Sequence, residues 1–221
     1  MLFRHAGHLI VRRWPLYAIA TLVAVAIQLG LLVAPGVPRG VAIVVGDVFA
    51  FAPLAAIVFG FGAADSVSEE VRSAAVWGRI AERIWAVVIL EAVFSLVQIG
   101  IFLGAGTSEI AQNVGQLGVL ILLTLLAFAE THAIVAPDEK PARLLLDSVL
   151  ASVRITTTRI GYGRAVGVVL VPFLIVQVVQ DFSGSLLAAA VVLPAILTVP
   201  VAALTVVFYL DCLALAGSQQ K

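Results

Sequence analysis

Six stretches of this chain are apolar enough to be read as membrane spans: residues 16–34, 41–64, 84–103, 117–136, 165–180 and 186–215. A helix needs about 20 consecutive apolar residues to cross a bilayer core, and inside it every backbone polar group must be satisfied within the segment. Water-soluble chains do not carry such runs in series. Charged residues make up only 12% of the sequence, roughly half the share of an ordinary soluble domain. The apolar blocks are continuous, whereas a transmembrane β-barrel would show alternating segments of about ten residues. The expected fold class is therefore all-α, a polytopic membrane protein with six transmembrane helices in a single domain over residues 1–221.

The polar interruptions set the orientation. The longest follows Phe128 and turns through Pro137-Asp138-Glu139-Lys140-Pro141 into a basic amphipathic segment carrying Arg143, Arg154, Arg159 and Arg164. The fifth apolar run is short, and helix is expected to continue into it from that segment. A second amphipathic stretch, Asp65 to Arg83, has Val67, Val71, Ala74 and Ala75 on one side, and Ser66 with Glu69 fits a capping box. Both stretches are read as cytoplasmic amphipathic helices, the Asp65–Arg83 one lying along the membrane surface or leading into the third run. Of 13 Lys and Arg, three precede the first run, three lie in the Asp65–Arg83 stretch, five lie between Pro137 and Ala165, and one ends the chain. Arg39 alone falls on the opposite side. The positive-inside rule then places both termini in the cytoplasm of a prokaryote and the spans in its plasma (inner) membrane. The basic start and first run read as a retained signal anchor, because Pro35 makes a poor cleavage site. In the long last run, Pro194 and Pro200 mark the expected bend.

Ionisable side chains inside membrane spans are expensive and are functional candidates by default. Glu91, Glu130, His132, Tyr209 and Asp211 fall at a common level toward the cytoplasmic side and form the candidate polar cluster. Asp47 lies toward the outer face, with Gln98 and Arg39 as neighbours. Two readings compete for these groups. The carboxylates either pair with Arg154, Arg159 or Arg164 and lock helix ends together, or they handle protons or cations on a transport path. Cavity geometry separates the two: carboxylates facing one cavity favour transport, and carboxylates each capped by an Arg favour structure. A lone histidine such as His132 is more often a hydrogen-bonded structural residue than a ligand. Small residues are expected to let helices approach closely at Gly100 and Gly104, at Gly163 and Gly167, and along Gly46, Ala52, Ala56, Gly60 and Ala64.

The sequence carries no Gly-rich phosphate loop, zinc-protease helix motif or nucleophile elbow. A single cysteine, Cys212, excludes an internal disulfide and a multi-cysteine metal site. Thirteen basic and 13 acidic residues cancel, so charge makes no case for nucleic acid. No catalytic residue, metal site or cofactor is assigned, and no enzyme activity is expected. The expected role is a non-catalytic membrane subunit or scaffold that packs against membrane lipids and a partner protein or a second copy of the chain. The alternative is a small permease or ion-coupled transporter using the intramembrane carboxylates.

The residues also support a likeness. Phe128-Ala-Glu-Thr-His-Ala-Ile-Val-Ala-Pro leads into Ala142-Arg-Leu-Leu-Leu-Asp-Ser-Val-Leu-Ala-Ser, and the last run closes on Val207-Phe-Tyr-Leu-Asp211. Over roughly its second half the chain resembles the membrane domain attached to some bacterial glycerophosphodiester phosphodiesterases, and the stand-alone six-helix relatives of that domain. The resemblance implies a cytoplasmic amphipathic helix between spans four and five and an aromatic-x-Asp element ending span six. It implies a fold and no hydrolase chemistry. The basic residue the family carries after its terminal Asp-Leu is replaced here, since Cys212 and Leu213 follow Asp211.

Overall fold

The computed structural model describes residues 2–67, 73–105, 108–136, 141–183 and 191–218, and the regular elements among them are all helical. Five helical segments are long and apolar enough to cross a membrane: Trp14–Val33, Arg39–Val67, Ser73–Ile101, Ile110–Val135 and Leu193–Ala216. A sixth is reached if the bent pair Arg143–Thr156 and Arg159–Ile175 is one span. The all-α, multi-span class follows directly from the apolar runs.

The chain begins with a helix that its charges had concealed. α1 (Leu2–Arg12) is amphipathic, burying Ala6 and Leu9 while Phe3 and Val11 stay exposed, and it packs against the last helix. After Arg13, α2 (Trp14–Val33) starts with a proline in its first turn, where the missing N–H costs nothing. The second span is built of α3 (Arg39–Gly46), a π turn (Asp47–Phe51) and α4 (Ala52–Val67). It is the centre of the bundle: 56% of its apolar window is buried, against 17% for Trp14–Val33. α4 lies against the third and last spans, with Ala52, Ala56 and Gly60 in the seams.

Gly46 shows why a small residue is needed in this span. A β-carbon there would fall 1.2 Å from Oε1 of Gln28, which is fully buried on α2. The other expected small-residue seams differ. At Gly100, Gly104, Gly163 and Gly167 an added β-carbon would meet nothing within 4 Å, so those positions face open space and no helix crosses there.

The Asp65–Arg83 stretch leads into the third run, one of its two expected arrangements, as far as its described residues go. Asp65 and Ser66 belong to the last turns of α4, and Ser73 to Arg83 are the opening turns of α5 (Ser73–Ala105). Ser66 sits inside α4 and donates to the Gly62 carbonyl at 2.7 Å. Its expected partner Glu69, like Arg72, lies outside the described residues. So do 137–140 of the expected proline turn and the start of the last apolar run. The polar stretch 104–116 is largely helical too, since α6 (Glu109–Leu126) begins only a few residues after α5 ends.

α6 breaks at Ala127–Phe128 before α7 (Ala129–Val135). The break is plugged from α8 (Pro141–Thr156). Ser152 accepts the freed Phe128 N–H at 3.0 Å and donates to the Leu125 carbonyl at 2.9 Å. A side chain inserted into a helical ladder in this way fixes a kink.

Helix continues into the fifth apolar run from the basic residues Arg159 and Arg164, but not from Arg143 and Arg154. α8 and α9 (Arg159–Ser183) meet at 108°, and the cause is local. Thr156, Thr157 and Thr158 each donate a hydroxyl back to a carbonyl three or four residues earlier, which loosens a helix end. Thr158 then accepts the Gly161 N–H at 3.0 Å, the N-cap pattern that starts α9. Gly161 must be glycine, because a β-carbon would lie 2.0 Å from the Ile155 carbonyl oxygen. Pro172 lies inside α9 and Pro200 inside α10 (Leu193–Ser218), which starts one residue before Pro194. Pro194 follows the π-helical residues Val191 and Val192, so helical chain lies on both sides of it, and residues 184–190 lie outside the described residues.

Candidate functional site

A cavity of roughly 440 Å³ opens between the second, third, fourth and last spans and α9. Its acidic wall is made by Asp47 on the π turn, Glu91 in α5 and Glu130 in α7. Each is placed by an irregularity or a long element. The π turn widens one turn of the central span beneath Asp47; such turns recur at functional sites. The Ala127–Phe128 break starts α7 afresh, so Glu130 falls in its first turn. Glu91 rides on α5, unbroken over 33 residues.

Glu91 and Glu130 lie side by side on that wall, within hydrogen-bonding reach of each other, and Ser95 is within reach of Glu91. Two carboxyl groups can share a hydrogen bond only if a proton lies between them. Asp47 is near enough to Glu91 for their charges to interact. The second oxygen of Glu130, Oε1, is shut off from solvent with no hydrogen-bond partner among the described residues. The remaining wall is apolar and aromatic, with Phe51, Phe59, Phe94 and Phe173. Its two hydroxyls, Thr198 and Thr205, donate to the Pro194 and Val201 carbonyls, leaving only acceptor capacity toward the cavity. Among the described residues no Lys, Arg or His lines it. Among the described residues no group of three or more His, Cys, Asp or Glu is arranged to hold a metal ion.

The expected cluster of five residues is thus divided. Glu91 and Glu130 come together and are joined by Asp47, which was expected beside Arg39 and Gln98. Gln98 is half-buried outside the cavity and Arg39 is exposed. His132 Nδ1 instead meets the Tyr209 hydroxyl at 2.7 Å, with the rings edge to face. Asp211 forms an ion pair with Arg164, whose guanidinium also reaches Cys212 Sγ and the Phe208 ring. The other members of the basic surface, Arg143, Arg154 and Arg159, are exposed.

Two polar contacts were not foreseen. Arg13 grips Asp65 with two hydrogen bonds of 2.9 Å and stacks over Phe61, and the bonded carboxylate holds that guanidinium protonated even more firmly than usual. Arg83 is buried and donates to the Ala133 and Ala136 carbonyls, capping the C-terminal end of α7. The topology already put Arg13 and Asp65 at the same end of neighbouring spans. Nothing local marks Arg83 as a cap.

Fold and site together define a class: an all-helical chain with several candidate membrane-spanning helices around a cavity whose described lining is acidic and holds no arginine. No family model, curated protein or solved structure matches this chain.

Proposed function

We propose that the protein is a proton-coupled carrier of small solutes in the plasma (inner) membrane, with the Asp47–Glu91–Glu130 cavity as its transport site. The observation that carries this reading is the Glu91–Glu130 carboxyl pair on the wall of that cavity. Acids kept within spans without a basic partner are costly, and neither packing nor capping accounts for them here. A proton shared by two carboxyl groups is held by the pair, and small changes around it decide whether the pair keeps it. The π turn under Asp47 and Pro172 on the opposite wall are places where the backbone can rearrange between two states.

In this proposal the chain has six spans, the bent α8–α9 pair contributing the fifth through α9. α1 and α8 lie on the cytoplasmic surface, and both termini face the cytoplasm because the basic residues gather there. The likeness to the phosphodiesterase-associated membrane domain agrees with such an arrangement and contributes no chemistry. The scaffold reading keeps one supporting observation: Gly100, Gly104, Gly163 and Gly167 leave room in which a partner helix or a second copy of the chain would fit.

The test uses proteoliposomes with an enclosed pH dye, offered pools of small cationic, neutral and anionic solutes. At least one pool should drive proton movement through the wild type. The movement should vanish in Glu91→Gln and Glu130→Gln and persist in Asp211→Asn. Proton movement absent from every pool would defeat the carrier reading, and a membrane protein co-purifying at fixed stoichiometry would then favour the scaffold.

A further inference from the structure

Resting on the carrier reading, we propose that the cavity takes a small organic cation with apolar substituents, an amine or quaternary ammonium, in exchange for a proton. The wall chemistry selects the sign of the charge. Asp47, Glu91 and Glu130 are acceptors when ionised, the hydroxyls of Thr198 and Thr205 spend their protons on backbone carbonyls, and among the described residues no basic side chain lines the space. An anion would find no donor and three acids.

The same wall argues against a bare metal ion. The described residues hold no metal-like ligand group, and much of the surface is aromatic. Phenyl rings at Phe51, Phe59, Phe94 and Phe173 line the cavity and suit an ammonium carrying hydrocarbon, because a cation is attracted to a ring face and its substituents bury against apolar wall. A volume of roughly 440 Å³ admits a molecule of about ten to fifteen non-hydrogen atoms with room to turn.

The exchange balances in charge. In the empty site one proton lies between the Glu91 and Glu130 carboxyl groups. When a monovalent cation enters, that proton leaves to water and the cation takes its place between two carboxylates. No covalent bond other than O–H is broken, and the net charge of the site is unchanged. The groups facing the pair are few. Asp47 faces it from the π turn and Ser95 from α5 itself, while the lining residues of α9 and α10 include no titratable side chain. The proton count is therefore set by Glu91, Glu130 and Asp47.

The probe is benzyltrimethylammonium, which has no proton of its own to release. Its neutral isostere neopentylbenzene and the anion benzenesulfonate serve as controls. Calorimetric titration of the purified protein in detergent, repeated in buffers of different ionisation enthalpy, gives both affinity and proton release. The expected result is saturable binding of the cation alone, release of about one proton, and affinity that falls about tenfold per unit of acidification while the pair is protonated. Glu91→Gln/Glu130→Gln should lose the binding and Asp211→Asn should keep it.

Equal binding of the neutral isostere, or cation binding without proton release, overturns the proposal. The wild-type titration suffices for that judgement if the double variant does not fold. If the cation does not bind while another solute pool still drives carboxylate-dependent proton movement, the carrier stands and this substrate class falls. If neither occurs, both fall together.

Discussion

Arg13 and Asp65 are 52 residues apart in sequence, yet they form a two-pronged ionic contact, both bonds 2.9 Å, where the first two spans meet. Asp65 has no exposed side-chain surface, and Arg12 adds only a 3.8 Å contact. Removing one member of a buried pair strands the other charge, at a cost of roughly 3–5 kcal/mol. Arg13 keeps about a quarter of its side-chain surface in solvent, so Arg13→Ala should fall at the lower end, about 3 kcal/mol, by denaturant unfolding in detergent. Arg13→Lys, which keeps the charge and loses the fork, should recover only part of it. Gly46 offers a second test. Gly46→Ala drives a methyl into the Gln28 amide and should cost about 1–3 kcal/mol. The double variant Gly46→Ala/Gln28→Ala removes the clashing atoms along with two unpartnered buried polar ones, so it should be more stable than Gly46→Ala alone. A cycle in which the two losses simply add would show that this contact is not what fixes glycine there.

At the scale of elements, the sharpest feature is the corner between α8 and α9, and its cause lies within six residues, Thr156 to Gly161. Thr158→Ala removes the cap of α9 and should cost about 1 kcal/mol in thermal or denaturant unfolding. Gly161→Ala should cost about 3 kcal/mol or more, since the obstructing atoms are backbone and cannot swing aside. Spin labels at the exposed positions Arg143 and Val171 should report the corner as one short distance in the wild type. A broadened or longer distribution is expected in Gly161→Ala, and an unchanged one would mean that tertiary packing, not local chemistry, sets the angle. The three consecutive threonines and the following glycine were visible in the sequence, but a helix-to-span continuation competed with them. Local hydroxyl bonding won, because each back-bonded threonine satisfies the carbonyls that the next turn would otherwise have used.

For the whole molecule, the number of crossings rests on counting α9 as a span and on the side where basic residues gather. Reporter fusions to the two termini, one active only in the cytoplasm and one only beyond it, should place both ends inside; a split result would remove the six-span arrangement. The existence and order of the long helices were legible in the apolar runs alone. The enclosed acids were legible one at a time, as ionisable groups where none is cheap. Their grouping was not. Helical phase decides which of several acids at similar depth share a wall, and here the phase is reset by the π turn Asp47–Phe51 and by a break before Ala129. Asp47 joined Glu91 and Glu130 for that reason, while Asp211 and His132, at a level that had looked equivalent, were taken up by Arg164 and Tyr209. Composition and run length determined by themselves that this chain is a bundle of membrane-length helices, because burying unsatisfied backbone in lipid leaves no other structure. Which side chains meet was decided only by tertiary packing, because two residues on different helices share a site through the rotation of each helix about its own axis, and no one-dimensional pattern records that angle.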